Sequence, residues 1–467
     1  FLISGTALFM TSLDNLIVTN ALPAIRGYFQ TGLEGLEWTV SAYTLSFAVL
    51  LLTGAAVADR YGRRRLFIGG LALFTGASAA AALAPGIGTL IAARAVQGVG
   101  AAIVAPLTLT LLAAAVPPER RGMALGAWGA MSGLGVALGP IVGGAVTQYA
   151  TWQGIFWINV PVGVILLLLA PSFLRESHGP AKRLDLAGTL LVTAGLFGIV
   201  LGLVRGNAHG WTSTQVLTSL AGGAVLLAVF VGYETRTAAP MLPMGMFRSR
   251  GFSMVNLVSL GMAFGMFGSI FLLVQFLQSV RHATPLSTGI QTLPWTGMPV
   301  LVAPLAGLLM ARIGTRNVVA IALACQAAGM AWLAAVLTPS AGYLMLVPGF
   351  VLAGIGMGLF FPTAARLALG FAPAELAGVA SGASNAVRQL GTVLGVAVLS
   401  AIFSASGSMT GDRAFADGLL PVLWTGAAVV GAAVLVALII PRDLPAQTPA
   451  APSTPSARSS DLALSVD

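Results

Sequence analysis

Two residues of opposite charge stand where a charge is hardest to keep. Asp14 lies inside the first long apolar run, in Thr11-Ser12-Leu13-Asp14-Asn15-Leu16-Ile17-Val18-Thr19-Asn20-Ala21-Leu22-Pro23. Arg94 lies inside the fourth, in Leu90-Ile91-Ala92-Ala93-Arg94-Ala95-Val96-Gln97-Gly98-Val99-Gly100. A carboxylate at bilayer depth costs about 2.5 kcal/mol or more even on the gentlest insertion scale, so it is a functional candidate by default. The other thirteen Asp and Glu residues fall in predicted loops, at span ends or in the C-terminal tail, which makes Asp14 the natural seat of proton chemistry. Asp14 is expected about 13 Å below Pro23 and Arg94 about two helical turns in from the same side, so their depths match. A guanidinium beside a carboxylate favours its ionised form, and separating the two lets a proton return. The competing reading of Arg94 is a long stem snorkelling to the interface.

A third intramembrane charge, Arg388, lies in Asn385-Ala386-Val387-Arg388-Gln389-Leu390-Gly391, near the middle of its run and with no acid in that run. It either meets a backbone carbonyl end or faces a cavity and contacts an anionic or polar group of a substrate. Other chemistries lack their residues. His178, His209 and His282 are predicted in separate loops and Cys325 is the single cysteine, so no metal centre, nucleophile-base cluster or disulfide framework is expected. No phosphate-cradling Gly-x-x-x-x-Gly-Lys-Ser/Thr loop occurs, and Lys182 is the one lysine, which argues against an ATP-driven pump.

The elements that hold these residues are membrane spans. With 57% hydrophobic and 8% charged residues the chain is not a soluble domain. Fourteen apolar runs are long enough to cross about 30 Å of hydrocarbon as helices. They lie near 1–22, 38–58, 66–84, 89–116, 123–146, 152–173, 186–204, 212–233, 252–277, 289–310, 317–337, 343–369, 378–404 and 418–440. If the first run points outward, seventeen Lys and Arg fall on the inner side and four (Arg26, Arg205, Arg281, Arg413) on the outer side. That asymmetry puts both termini in the cytoplasm and accounts for the net charge of +9 without nucleic acid. Phe1 is already apolar, so the native start is expected to lie upstream, and no cleavable signal is evident.

An internal repeat sets the architecture. Gly54 and Asp59 are echoed by Gly307 and Arg312 at an offset of 253, and Glu119, Gly122 and Gly126 by Glu375, Gly378 and Gly382 at 256. The expected fold is an all-α membrane protein of two parallel six-helix bundles, residues 1–173 and 252–440, with an inserted helix pair at 174–233. Residues 234–251 read as a cytoplasmic interfacial helix and linker, and 441–467 as a disordered tail. The copies are chemically unequal, because Asp14 projects onto Phe267 and Arg94 onto Gly349. The acidic pair Glu34 and Glu37 reads as an exposed outer loop.

Several stretches carry a family resemblance. Gly54-Ala-Ala-Val-Ala-Asp59-Arg60-Tyr61-Gly62-Arg63-Arg64-Arg65 resembles the signature between the second and third spans of the major facilitator superfamily, where the loop's Asp and Arg join an inner gate between the halves. The run around Arg94 is similar to the fourth-span motif of the drug:proton antiporters, whose arginine is linked to proton transfer. Gly135, Gly139, Pro140, Gly143 and Gly144 match the fifth-span antiporter motif, although a glycine stripe for close helix packing explains the same spacing. Leu13-Asp14 through Ala21-Leu22-Pro23 resembles the first-span signature, loosened by Thr19 and Asn20. Trp152-Gln-Gly-Ile-Phe156-Trp157-Ile-Asn159-Val-Pro161-Val-Gly163 resembles the start of the sixth span in the fourteen-span branch, with Gln153 where an arginine is usual.

The resemblance implies a plasma-membrane antiporter that exports lipophilic drugs or antibiotics, uses the proton gradient rather than a cofactor, and works as a monomer among lipids. One midplane carboxylate suits a neutral or singly charged substrate better than a dication. Cavity candidates are Arg388, Gln97, Asn385, Phe267, Trp295 and Phe361. The alternatives are a proton-coupled exporter or importer of a lipid or metabolite on the same fold, and an intramembrane receptor, which would bind without net flux.

Overall fold

A computed structural model gives the structure of residues 2–117, 121–179, 184–373 and 376–441. The expected tail beyond Pro441, Glu119, Arg120, Lys182, Arg183, Glu375, Arg442 and Arg458 lie outside the described residues. The helices of the first half are α1 (Leu2–Phe29), α2 (Leu33–Tyr61), α3 (Arg63–Ala82), α4 (Ile87–Ala115), α5 (Arg121–Tyr149), α6 (Gly154–Trp157) and α7 (Asn159–Phe173). The inserted pair is α8 (Leu186–His209) and α9 (Thr214–Glu234). The second half holds α10 (Arg250–Ser279), α11 (Pro285–Thr296), α12 (Met298–Ile313), α13 (Thr315–Val336), α14 (Tyr343–Gly370), α15 (Ala377–Ser406) and α16 (Asp412–Ile439). Fourteen spans result among the described residues, because α6 with α7 and α11 with α12 each make one.

Both broken spans follow from proline. Pro161 just after the joint at Ile158, and Pro294 and Pro299 around Gly297, withhold backbone N–H groups that a continuous helix requires. The duplication is visible in the packing. In the first half α1 packs on α5, α2 and α3 on α4, and α3 on α7; in the second, α10 packs on α15, α12 and α13 on α14, and α13 on α16. The halves meet through two equivalent pairs, α5 with α11 and α2 with α15.

One end of the bundle carries the Arg60–Arg65 cluster, and contacts between the halves are tight at the opposite end. There Gly144 lies against Pro285, Gly289 against the Pro140 carbonyl, and Gln278 Nε2 donates to the Asn20 carbonyl at 2.9 Å. Gly133 and Gly129, two and three turns along α5 on the same face as Pro140, meet nothing within 4 Å. The α5 face therefore leaves its neighbours toward the arginine-rich end.

Two sequence expectations need correction. The interfacial helix expected within 234–251 is reduced to one 3-10 turn, Met244–Arg248, since Pro240 and Pro243 bar an earlier start and Ser249 caps α10. The linker is instead tied to the inserted pair: Asp185 Oδ2 accepts from Met241 N and Glu234 Oε2 from Leu242 N. Glu34 and Glu37 are not in a loop. α2 begins at Leu33, five residues before the apolar run, with Glu34 favoured in its first turn by the helix dipole. Glu34 pairs with Arg205 of α8 at 3.4 Å, and Glu37 is only 4% exposed.

Candidate functional site

The first half encloses a charge cluster built by five helices. Asp14 projects from the middle of α1, and α4 supplies Arg94 and, three residues on along nearly the same face, Gln97. Arg94 Nη1 donates to Asp14 Oδ2 at 2.6 Å and to Gln97 Oε1 at 2.7 Å. The second carboxylate oxygen, Oδ1, accepts from Gln97 Nε2 at 2.8 Å and from Asn159 Nδ2 at 2.9 Å. Asn159 is the first residue of α7, so the break at Ile158 sets where its amide points. Ser78 of α3 accepts from Gln97 Nε2 at 2.8 Å, and Arg94 Nε donates to the Thr39 carbonyl of α2 at 3.2 Å. The guanidinium also lies 4.3 Å above the Tyr43 ring. Asp14 is 0% and Arg94 1% exposed.

The two oxygens of Asp14 receive three donors, from Arg94, Gln97 and Asn159, the pattern a carboxylate accepts. Taking a proton would leave Arg94 buried without its counter-ion, a strongly unfavourable state unless the helices rearrange.

The glycines of α5 fix Asp14's helix. A Cβ on Gly135 would lie 2.8 Å from the Phe9 carbonyl, on Gly139 3.1 Å from Leu16 Cβ, and on Gly143 2.5 Å from the Ile17 carbonyl, all on α1. Gly144 faces the other way, onto Pro285 and Leu286 of α11. Asn20 Nδ2 of α1 also donates to the Pro140 carbonyl at 2.6 Å. α5 is thus clamped to the helix bearing Asp14 on one side and to the second half on the other.

The residues expected at the inner gate cluster at the arginine-rich end, but with different partners. Gly54 lets α2 approach Ala102 and Ile103 of α4. Asp59 accepts from Arg63 Nε at 2.8 Å, and Gly179 N donates to the Asp59 carbonyl at 3.0 Å. Gly62 has φ +109°, a conformation that favours glycine, and a Cβ there would meet the Glu176 carboxylate at 2.9 Å. Glu176 accepts from the backbone N–H groups of Arg64 and Ser177 at 2.9 and 3.1 Å and of Arg65 at 3.3 Å. Partial burial pushes its carboxyl up, but those N–H donors and the Arg64 guanidinium outweigh this and hold it below the usual carboxylate range. Arg60 is exposed, its guanidinium 5.5 Å over Tyr61. The loop therefore binds the segment just after α7, at the start of the inserted region, rather than the second half.

The cavity candidates separate. Gln97 belongs to the charge cluster. Trp295 is fully buried, its ring 6.2 Å from Phe350, because it ends α11 just before the Gly297 break turns it into the second-half core. Phe267 is half-buried on α10. Arg388 and Asn385 stand together on α15, and the Arg388 guanidinium lies 4.9 Å over the Phe361 ring of α14. Sequence reasoning missed Asn159 as a partner of Asp14, Ser78 as a partner of Gln97, and Thr39 and Tyr43 as partners of Arg94. Asn159, a lone amide in an apolar run, carried a readable signal, whereas a small hydroxyl such as Ser78, a backbone carbonyl such as that of Thr39 and a ring face such as that of Tyr43 carry none. Among the described residues no group of three or more His, Cys, Asp or Glu could hold a metal.

Comparison with known proteins agrees with this architecture. The family model described as Major Facilitator Superfamily matches residues 4–396 and 257–464. The chain belongs to the major facilitator superfamily. It is 37% identical over 404 residues to the multidrug resistance protein Stp of Mycobacterium tuberculosis (strain CDC 1551 / Oshkosh), covering 86% of this chain and 75% of that one. It is 33% identical to the tetracenomycin C resistance and export protein of Streptomyces glaucescens (88% and 77% covered) and 38% identical to the cephamycin export protein CmcT of Amycolatopsis lactamdurans (84% and 82%). These relatives place it in the drug-exporter branch, as a multi-pass membrane transporter rather than an enzyme. Among solved structures, a POT family transporter in complex with a thioalcohol-conjugated peptide has a TM-score of 0.69 at 15% identity, covering 94% of this chain and 95% of that one. A D-xylose–proton symporter has a TM-score of 0.68 at 14% identity, covering 94% and 97%. Both show likeness of fold alone.

Proposed function

We propose that this protein is a proton-coupled antiporter that exports lipophilic drugs or antibiotics across the plasma membrane by alternating access. The observation that carries the reading is the buried Asp14–Arg94 pair, closed by Gln97 and Asn159. With the arginine-rich end in the cytoplasm, the conformation is sealed outside and open inside. It is the state in which Asp14 has released its proton inward and the cleft receives substrate. When the cleft opens outward, a proton from outside neutralises Asp14 and the ion pair parts. α1 then shifts relative to α4, and the α5 clamp passes that shift to α11 of the second half. The Arg60–Arg65 loop, engaged with Glu176 here, is free to meet the second half when the inner side closes.

The test is proteoliposomes with a pH dye inside and an imposed gradient, using a panel of neutral and singly charged lipophilic antibiotics. Wild type moves protons opposite to drug, and Asp14→Asn loses gradient-driven accumulation. Accumulation against a gradient by Asp14→Asn sinks the coupling assignment, and movement of solute and proton in the same direction establishes the importer alternative.

A further inference from the structure

The mechanism above uses one of the two intramembrane arginines and leaves the other without a task. Arg388 has no carboxylate within 4.0 Å among the described residues, and its side chain makes a single hydrogen bond, from Nη2 to Asn385 Oδ1. Its remaining nitrogens are not among the buried polar atoms that lack a partner, so they reach open space rather than dry protein. Phe361 covers one face of the guanidinium. A guanidinium with free N–H groups over an aromatic ring is poised for a planar anion, which it can hold through paired hydrogen bonds.

The helix around it shows which space this is. Along α15, α10 is met at Gly391 and Gly395, which lie against Leu260 and Phe264. α2 is met at Gly382, which lies against Leu52, and α8 shares a cluster with Val393 and Ala397. Arg388 and Asn385 fall on the arc between α10 and α2, away from the arc bearing Val387, Leu394 and Val398. α10 and α2 belong to different halves, so this arc faces the cleft between them and not lipid. The same stripe is buried at Leu399 and Thr392, half-buried at Arg388 and Asn385, and exposed at Ser381. It opens progressively toward the arginine-rich end, the side from which an exported molecule would enter.

We infer that Arg388, with Asn385 and Phe361, is the binding site for the carboxylate of a monoanionic aromatic substrate. This deepens the export reading and rests on it for the direction of movement. The charge inventory selects the class. Arg94 is paired with Asp14 and Arg388 with no carboxylate among the described residues, so Arg388 presents one uncompensated positive charge, which one carboxylate balances and a dianion or a cation does not. A second consequence follows for energetics. Exchange of one proton for one monoanion carries two net charges across the membrane, against one for a neutral substrate.

The test is equilibrium binding to the purified full chain in nanodiscs of phosphatidylcholine, with no gradient. The probes are benzoate, naphthoate and dansylphenylalanine, each beside its uncharged methyl ester. Wild type is expected to bind acids about ten- to a hundredfold more tightly than esters, the scale of a charge-assisted hydrogen-bond pair. Arg388→Gln should bring acid binding down to that of the ester, and Arg388→Lys should keep part of the preference. Equal binding of acids and esters across the series by wild type, or an unchanged ratio in Arg388→Gln, overturns the assignment. The wild-type comparison needs no variant to fold. Displacement of bound probe by phosphatidylglycerol but not by excess benzoate would give the site to a lipid phosphate and overturn the substrate reading. Because no gradient is involved, failure here is distinct from failure of proton coupling, which only the gradient experiments address.

Discussion

Arg94 and Arg388 are the same residue type inside spans of the two halves, and their surroundings are opposites. Arg94 is 1% exposed, paired with a carboxylate and held by an amide, a backbone carbonyl and an aromatic face. Arg388 is half-buried, with one amide and one aromatic face and no carboxylate in reach. A buried charge that has every partner is part of the machine, whereas one with vacant donors facing a cleft is positioned to receive something. In the proposed mechanism the duplicated fold divides its labour: the first half stores and releases a proton, and the second presents a recognition surface.

The largest expected effect breaks this contrast at its strong end. Arg94→Leu leaves Asp14 buried and unpaired, and should destabilise the protein by about 3–5 kcal/mol, with Asp14→Asn/Arg94→Leu less damaging than Arg94→Leu alone. Arg388→Leu, which strands no partner charge, should change stability by less than about 1 kcal/mol. Thermal unfolding in detergent measures all three, and equal losses at both arginines would remove the distinction. The next effect concerns the clamp. Gly143→Leu drives a side chain into the Ile17 carbonyl and should cost about 1–3 kcal/mol, while Gly133→Leu on the open side of the same helix should be close to neutral. Asn159→Leu removes one donor from the ionised Asp14 and should cost about 1.5–3 kcal/mol, read in the same melts.

The smallest effect is at the arginine-rich loop. Because Glu176 is held below the usual carboxylate range, its contribution is complete above its unfolded value and fades only as pH falls through the lowered native one. Glu176→Gln should therefore loosen the Arg63–Arg65 loop at neutral pH by less than about 1 kcal/mol. Proteolysis after these arginines should be faster in the variant at neutral pH and equal to wild type in strong acid, where the wild-type carboxyl is also protonated. A difference that persists in acid would assign the effect to packing.

Much of this was legible in the residues, for identifiable reasons. Span number and approximate limits follow from apolar length, which a bilayer enforces on any sequence. Asp14 and Arg94 stood out because a charge in such a run needs a counter-charge, and matching depth left few choices. The breaks at Ile158 and Gly297 were hidden inside continuous apolar runs, although Pro161, Pro294 and Pro299 marked them locally. Hydropathy alone puts Glu37 in a loop, whereas α2 starts at Leu33 through its own backbone. The partners of the gate arginines could not be read, since Glu176 lies more than a hundred residues away and only the fold brings it under Arg64.

The central claim is that Asp14 is the group that takes and gives up the proton. Infrared difference spectroscopy of the purified protein, titrated from alkaline to acidic pH, reads this without a substrate or a gradient. A carboxylic C=O band that appears on acidification in wild type and is missing in Asp14→Asn is the expected result. An unchanged band in Asp14→Asn would contradict it and move proton coupling to another carboxylate.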